Sequence, residues 1–212
     1  MSAAGGLRTP PGRAGRLWLR GRLAVAQRGL DLLDRKLRIL RREQERLELL
    51  ARRTGDEWER ACRQADTWLL RAALLRGQRS LRLASGGPPA VVTIVWRDTM
   101  GIRYPAEATS DAPGQDAPSA PGGAALQRAG AAHRAALAAA VQHAAASAAL
   151  RTVEAEVAAT SQRLRAIQDR WVPHLQVTLA QVELDLDELE HADAAQLRRA
   201  INPKASTIGR QP

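Results

Sequence analysis

Phenylalanine is absent from the sequence, tyrosine and cysteine occur once each, and aromatic residues are only 3% of its 212 positions. So little bulky apolar material excludes a thick globular core. One cysteine, Cys62, excludes an internal disulfide and fits a reducing compartment. No run approaches the ~20 apolar residues of a membrane span. The first residues lack the apolar core of a signal peptide. A soluble, cytoplasmic protein without direct membrane insertion is therefore expected.

Catalytic signatures are missing as well. Gly86-Gly87 leads into Pro88-Pro89 rather than Lys, so no phosphate-binding loop is formed. His133, His143, His174 and His191 make no H-E-x-x-H pattern, and no cysteine cluster is available for zinc. The acidic run from Glu183 to Glu190 lacks the glycine and loop spacing of a calcium loop and reads as a solvated helix face. Cys62 has no matching His/Asn arrangement and reads as a small residue beside a helix seam. No catalytic residue, cofactor or metal is expected.

What the chain has instead is Ala, Leu and Arg. Residues 22–47 contain no proline and repeat their apolar residues with heptad spacing. With Leu23 at position a, Leu30 and Leu37 follow at a, and Ala26, Leu33, Leu40 and Leu47 fall at d. One narrow apolar stripe flanked by charge demands a long partner helix. The phase continues through Thr54, Trp58, Trp68 and Leu75, so residues 14–84 are expected to form one helix with a soft spot at Gly55. At 1.5 Å per residue such a helix spans on the order of 100 Å.

Residues 85–105 read as a turn and β-hairpin: the alternating stretch from Ala90 to Arg97, a short turn at Asp98-Thr99, then a strand through Met100, Gly101 and Ile102. Val92, Ile94 and Trp96 share one face by period two. A lone hairpin is marginal in water, so that face is expected to rest on the helices or on a neighbouring subunit. Residues 106–123 read as a low-complexity loop. Residues 124–201 read as the partner helix, with a seam at Leu164, Ile167, Trp171, Leu175, Val182, Leu186 and Leu189. A four-residue step near Pro173 interrupts its phase. Residues 1–13 and 202–212 are expected to be flexible ends. The fold class is thus dominantly α: two long helices in an antiparallel coiled coil with a β-hairpin between them. Residues whose numbers total about 215 should face each other, by equal rise along the two helices.

The formal net charge of +10 favours an acidic partner. With the two chain ends together, one tip would gather Arg13, Arg16, Arg20 and Arg22 with Arg198 and Arg199, and Leu17 would approach Leu197. Nucleic acid is a rival reading of this charge, but no nucleic-acid motif is present and much of the arginine lies three or four residues from a carboxylate.

The pattern resembles the D subunit of the V-type and archaeal-type (V/A) rotary ATPases. The resemblance rests on Arg22-Leu23, Ala26, Arg28-Gly29, Leu32-Leu33 and Arg35-Lys36; on residues 91–97 followed by Met100-Gly101-Ile102 and Pro105; and on Leu164, Ala166-Ile167, Val172-Pro173 and Leu175. Residues 106–149 depart from the family pattern. The resemblance implies a non-catalytic axle of the central stalk that carries torque between a catalytic hexamer and an ion-translocating membrane ring. The implied partners are the catalytic and regulatory ring subunits, the small F subunit of the stalk and a funnel-shaped subunit above the membrane ring, at the cytoplasmic face. It also implies that the chain ends enter the hexamer and the hairpin end faces the membrane. Other coiled-coil stalks, scaffolds or chaperone arms are the alternative, and the Met100-Gly101-Ile102 hairpin separates the two readings.

Overall fold

The computed structural model describes residues 9–84, 88–112 and 123–201. In chain order it contains α1 (Gly12–Ala84), β1 (Val91–Thr99), β2 (Ile102–Asp111), α2 (Gly123–Ala166), a π-helical turn (Ile167–Trp171) and α3 (Val172–Ile201). The long helices pack together and the two strands form one antiparallel hairpin. The chain divides into two compact units. One joins the part up to Arg35 with the part from Ser161 onward; the other is Lys36–Thr160.

In the first unit, Arg13 pairs with Glu190 at 2.9 Å and Arg20 with Glu183 at 2.6 Å, so the helices run antiparallel with numbers totalling 203. The expected total of about 215, from equal rise, is corrected by roughly three turns. Leu17 accordingly falls opposite the turn of Leu186, and Leu197 lies beyond the start of α1. Buried Leu19, Leu175 and Leu186 form the seam, with Leu23, Leu30, Leu33, Leu164, Ile167 and Val182 half-buried beside them. Each fully buried leucine contributes roughly 1.5–3 kcal/mol.

Two expected seam residues of this unit are not in it. Trp171 is exposed, and Val172 is half-buried in its place. The π-helical turn supplies the reason: the N–H of Val172 donates to the carbonyl of Ile167, five residues back, so one extra residue enters the turn. Pro173 follows at once and has no N–H to donate, which favours a locally widened ladder. The single helix expected over 124–201 is therefore α2 and α3 joined through this turn. Leu189 is 60% exposed. In the observed register it faces Ala14, at the beginning of α1, and finds no large partner.

In the second unit α1 contributes Leu37, Leu40, Leu47, Ala51, Thr54, Ala65 and Ala72, all buried. α2 meets them with small residues: Ala129, Ala136, Ala145, Ala146, Ala149, Val153 and Thr160. Trp58 stacks on His143 and Trp68 lies under Arg128, so here too each residue of α1 faces an earlier position of the partner helix than a total of about 215 would give. Large residues on one helix thus meet small ones on the other, as close packing requires.

Gly55 does not interrupt α1; the break lies at Gly77, whose φ of 71° and ψ of 164° leave the helix. Both positions have a local explanation. A Cβ on Gly55 would come within 3.3 Å of the His143 ring, so the glycine makes room for a side chain of the facing helix. Gly77 combines a positive φ with an extended ψ, a region essentially restricted to glycine that costs other residues roughly 1–3 kcal/mol. A Cβ on Gly29 would meet nothing within 4 Å. Gly29→Ala should therefore stabilise the isolated chain by about 1 kcal/mol, the ordinary helical gain. Gly55→Ala should fall well short of that gain, because the His143 ring must move. Paired urea titrations of the two variants check the difference.

The hairpin is longer than expected and turns later. Asp98 and Thr99 remain in β1, and the turn is Met100-Gly101, with φ of 52° and 81°. Two positive φ values mark a type I′ turn, whose twist matches the strands. β2 continues to Asp111, so residues 106–111, expected in a loop, are strand; residues 113–122 lie outside the described residues. Trp96 pairs with Pro105 but Val95 with Glu107, leaving Ala106 as the extra residue of a bulge. The burial also differs from expectation. Val92, Ile94 and Trp96 are exposed, whereas Tyr104, Pro105 and Ala108 of β2 are buried. The hairpin is held through its second strand. Of the expected flexible ends, residues 1–8 and 202–212 lie outside the described residues; Pro10 and Pro11 lead directly into α1, and buried Gly15 receives the Pro10 carbonyl.

Candidate functional site: the hairpin junction and the charged helix faces

The hairpin meets the helices in the second unit through Tyr104. Tyr104, the only tyrosine of the chain, is 0% exposed and packs with Leu47, Ala149 and Val153, flanked by Leu50, Leu150 and Val157. β2, α1 and α2 therefore share one small core. An aromatic ring in such a core brings a large apolar area and a hydroxyl that needs a partner. The Tyr104 hydroxyl donates to Glu43 Oε1 at 2.6 Å and lies 3.1 Å from Thr99 Oγ1. Arg46 closes the arrangement from the next turn of α1, its Nη2 donating to Glu43 Oε1 at 2.6 Å and its Nε to Oε2 at 3.0 Å. Such a forked, charge-assisted contact fixes the carboxylate in one orientation. Glu43 in turn fixes the phenol and so the angle at which the hairpin leaves the helices.

The Glu43 carboxyl is held below its ordinary range, chiefly by the Arg46 hydrogen bond, with the Tyr104 hydrogen bond and the charge of Arg97 acting in the same direction and partial burial opposing them. Arg46 is correspondingly raised, first by its bond to Glu43. A carboxyl depressed in the folded state stabilises that state when ionised. The contribution is complete above the unfolded value of about 4.3 and is lost as pH falls through the lower folded value. The stability difference between wild type and Glu43→Gln should accordingly shrink as pH drops below about 4.3. Thermal melts of both proteins across acid pH measure it; a constant difference would deny the ionised Glu43 this role.

A second polar cluster joins α1 to α2. Thr54 donates its hydroxyl proton to the Leu50 carbonyl at 2.8 Å. The Thr54 oxygen also lies 3.3 Å from His143 Nδ1. The Ser147 hydroxyl lies 3.4 Å from Nε2 of the same ring. Trp58 stacks on the ring with centroids 5.4 Å apart. Every polar atom of His143 has a structural partner, and the open groove beside it is lined by Glu48, Asp56, Glu59 and Glu154. Lys36 and Glu156, at 2.7 Å and both half-buried, add a further tie between the two helices.

The arginine tip expected from the sequence is partly neutralised. Arg13 and Arg20 are paired with carboxylates of α3, and Arg22 lies over the Trp18 ring at 5.0 Å. Arg198 and Arg199 are exposed and Arg16 is half-buried. The exposed pairs each contribute roughly 0–1 kcal/mol and serve mainly to set register. Of the hairpin residues singled out by sequence, Met100 and Gly101 form the turn and Ile102 opens β2, while Val92, Ile94 and Trp96 stand outward. Arg103 lies over Trp96 at 5.3 Å.

Sequence reasoning missed Tyr104, Glu43 and Arg46. A signal existed: a solitary tyrosine flanked by strand residues in a chain this poor in aromatics. Its partner on α1 lies 61 positions away and leaves no local trace.

Among the described residues no group of three or more His, Cys, Asp or Glu side chains is placed to hold a metal ion, and no helix is long and apolar enough to cross a membrane. A search of curated proteins returned no match. The family model for the D subunit of ATP synthase matches residues 17–202, which is most of the sequence and includes the hairpin, and the chain belongs to that family.

Proposed function

We propose that the chain is a non-catalytic central-stalk subunit, the rotor axle of a V/A-type ATPase or ATP synthase. It passes torque between a catalytic hexamer and a membrane ring that moves protons or sodium ions. The observation that carries this reading is the family match over residues 17–202 on a chain built from two long antiparallel helices. The helices are tied at intervals, by Arg13–Glu190 and Arg20–Glu183 in one unit and by Lys36–Glu156 and the Trp58–His143 stack in the other. Ties of this kind oppose sliding and untwisting of one helix against the other, as torque transmission needs.

The partners in this reading are the catalytic and regulatory ring subunits, the small F subunit of the stalk and a funnel-shaped subunit above the membrane ring, all at the cytoplasmic face. The helix ends near Leu17 and Leu197 enter the hexamer, bearing on it through apolar side chains and many weak charge contacts, Arg16, Arg22, Arg198 and Arg199 among them. The hairpin faces the other way and modulates coupling.

Affinity purification of the tagged chain should bring down ATPase catalytic subunits and a small F-like subunit. Their absence, with the chain folded, would end the reading. Cysteines at Leu17 or Leu197, with Cys62 removed, should cross-link to ring subunits; joining to membrane-proximal subunits would reverse the assigned polarity. Replacing residues 91–111 by a Gly/Ser linker should change the coupling of ATP turnover to ion pumping, and unchanged coupling would remove the hairpin's part.

A further inference from the structure

Sheets protect the main-chain groups of their outer strands with proline, bulges, charged side chains or a covering element. The hairpin does so on one edge only. β2 carries Pro105, the bulge at Ala106 and the charged side chains of Arg103, Glu107 and Asp111, and it supplies the buried Tyr104, Pro105 and Ala108. β1 has none of these devices over most of its length. Residues 91–96 contain no proline, glycine or charge, and the extra residue of the bulge belongs to β2. Valine, threonine, isoleucine and tryptophan are the residues that favour strands most. Every residue from Val91 to Asp98 is exposed. Val91 and Val95 stand on one face, Val92, Ile94 and Trp96 on the other. Among the described residues β1 pairs with β2 alone, in a two-stranded sheet. Its second edge is therefore a row of N–H and C=O groups open to another strand.

We propose that β1 is a self-association edge: it pairs antiparallel with β1 of a second copy of this chain, across a two-fold axis at Ile94. The strand is complementary to itself. With Ile94 opposite Ile94, Val92 meets Trp96, Thr93 meets Val95 and Val91 meets Arg97. That register opposes no like charges and sets β-branched side chains against one another and against an aromatic ring. The assembly also closes. Joining the two β1 edges leaves β2 at both margins of a four-stranded sheet, where Pro105 and the bulge at Ala106 block further addition. The product is a dimer rather than a fibre. Main-chain hydrogen bonds supply the association, and the alternate side chains set its register. A pair of single strands lies at the small end of specific interfaces, so the dimer is weak and depends on concentration. The inference concerns the free chain and does not depend on the stalk reading.

Sedimentation equilibrium of the full chain over a range of concentrations tests it. The wild type should show a reversible monomer–dimer equilibrium. Ile94→Lys and Ile94→Glu should each weaken the dimer about tenfold, because like charges then face each other across the axis. An equimolar mixture of the two variants should restore it. Val177→Lys, at a more exposed apolar position on α3, should leave the dimer intact. Hydrogen exchange of the wild-type chain gives a readout that no substitution disturbs: the β1 amides should gain protection as concentration rises, while those of α3 do not. A chain that stays monomeric at the highest concentration would overturn the proposal and leave the edge to a strand of another subunit. Dimers of both Ile94 variants as tight as wild type, a mixture that does not associate, equal weakening by Val177→Lys, or β1 exchange independent of concentration would each overturn it as well.

Discussion

Leu47→Ala should destabilise the chain by about 2–5 kcal/mol, while Leu189→Ala should change stability by no more than about 0.5 kcal/mol. Both leucines hold seam positions by sequence spacing, and both substitutions remove the same atoms. Leu47 is 1% exposed, in the core where β2 meets the two helices; Leu189 is 60% exposed opposite Ala14. The loss at Leu47 combines the lost burial with a cavity that Tyr104, Ala149 and Val153 cannot fill without moving. Urea titration of the two variants reads the contrast. Equal losses would mean that Leu189 is covered in solution and that the register derived from Arg13–Glu190 and Arg20–Glu183 is wrong.

The second large effect belongs to Tyr104. Tyr104→Ala should cost about 3–5 kcal/mol, in the range of buried aromatic truncations. It should also release the hairpin, since among the described residues the buried side chains of the hairpin all lie in β2. Tyr104→Phe keeps the ring and removes only the hydroxyl. Glu43 then retains Arg46, so the loss should be about 1–2 kcal/mol. The ordering of these two losses separates the roles of ring and hydroxyl. Hydrogen exchange of the β1 and β2 amides supplies the second readout: fast exchange in Tyr104→Ala with protected helices is expected. A hairpin still protected in Tyr104→Ala would show that another contact holds it.

Much of the fold was legible because helix periodicity is a local signal. The leucines at 30, 33, 37, 40 and 47 mark one face of α1 without any knowledge of the partner, and the alternation from Ala90 to Arg97 marks a strand. Register was not legible, because the pairing of two long helices depends on where each begins and on how the intervening chain closes. Neither the break at Gly77 nor the π-helical turn at Ile167–Trp171 follows from side-chain spacing. That turn moved Trp171 out of the seam and Val172 into it, and Pro173 was its only trace in sequence.

The hairpin shows the same limit. Its existence followed from β-branched alternation, but the choice of the buried strand was decided by a tertiary contact. Tyr104 found Glu43 on α1, and the β1 side chains remained outside. The turn at Met100-Gly101 was misplaced by two residues because Asp98-Thr99 has the more polar composition. Glycine with positive φ at the second turn position was the better guide. The arginine tip was overdrawn for the reason that spoiled the register: with Glu183 and Glu190 in their observed places, Arg13 and Arg20 are paired.

The central claim is that this chain turns inside a catalytic ring, and direct observation of rotation tests it. A cysteine at Met100, with Cys62 replaced by serine, would carry a gold particle on the exposed hairpin turn while the catalytic ring of the purified complex is fixed to a surface. On addition of ATP the particle should rotate in one direction, at a rate that follows ATP concentration and stops when hydrolysis is blocked. A particle that stays still while the same complexes hydrolyse ATP would contradict the account.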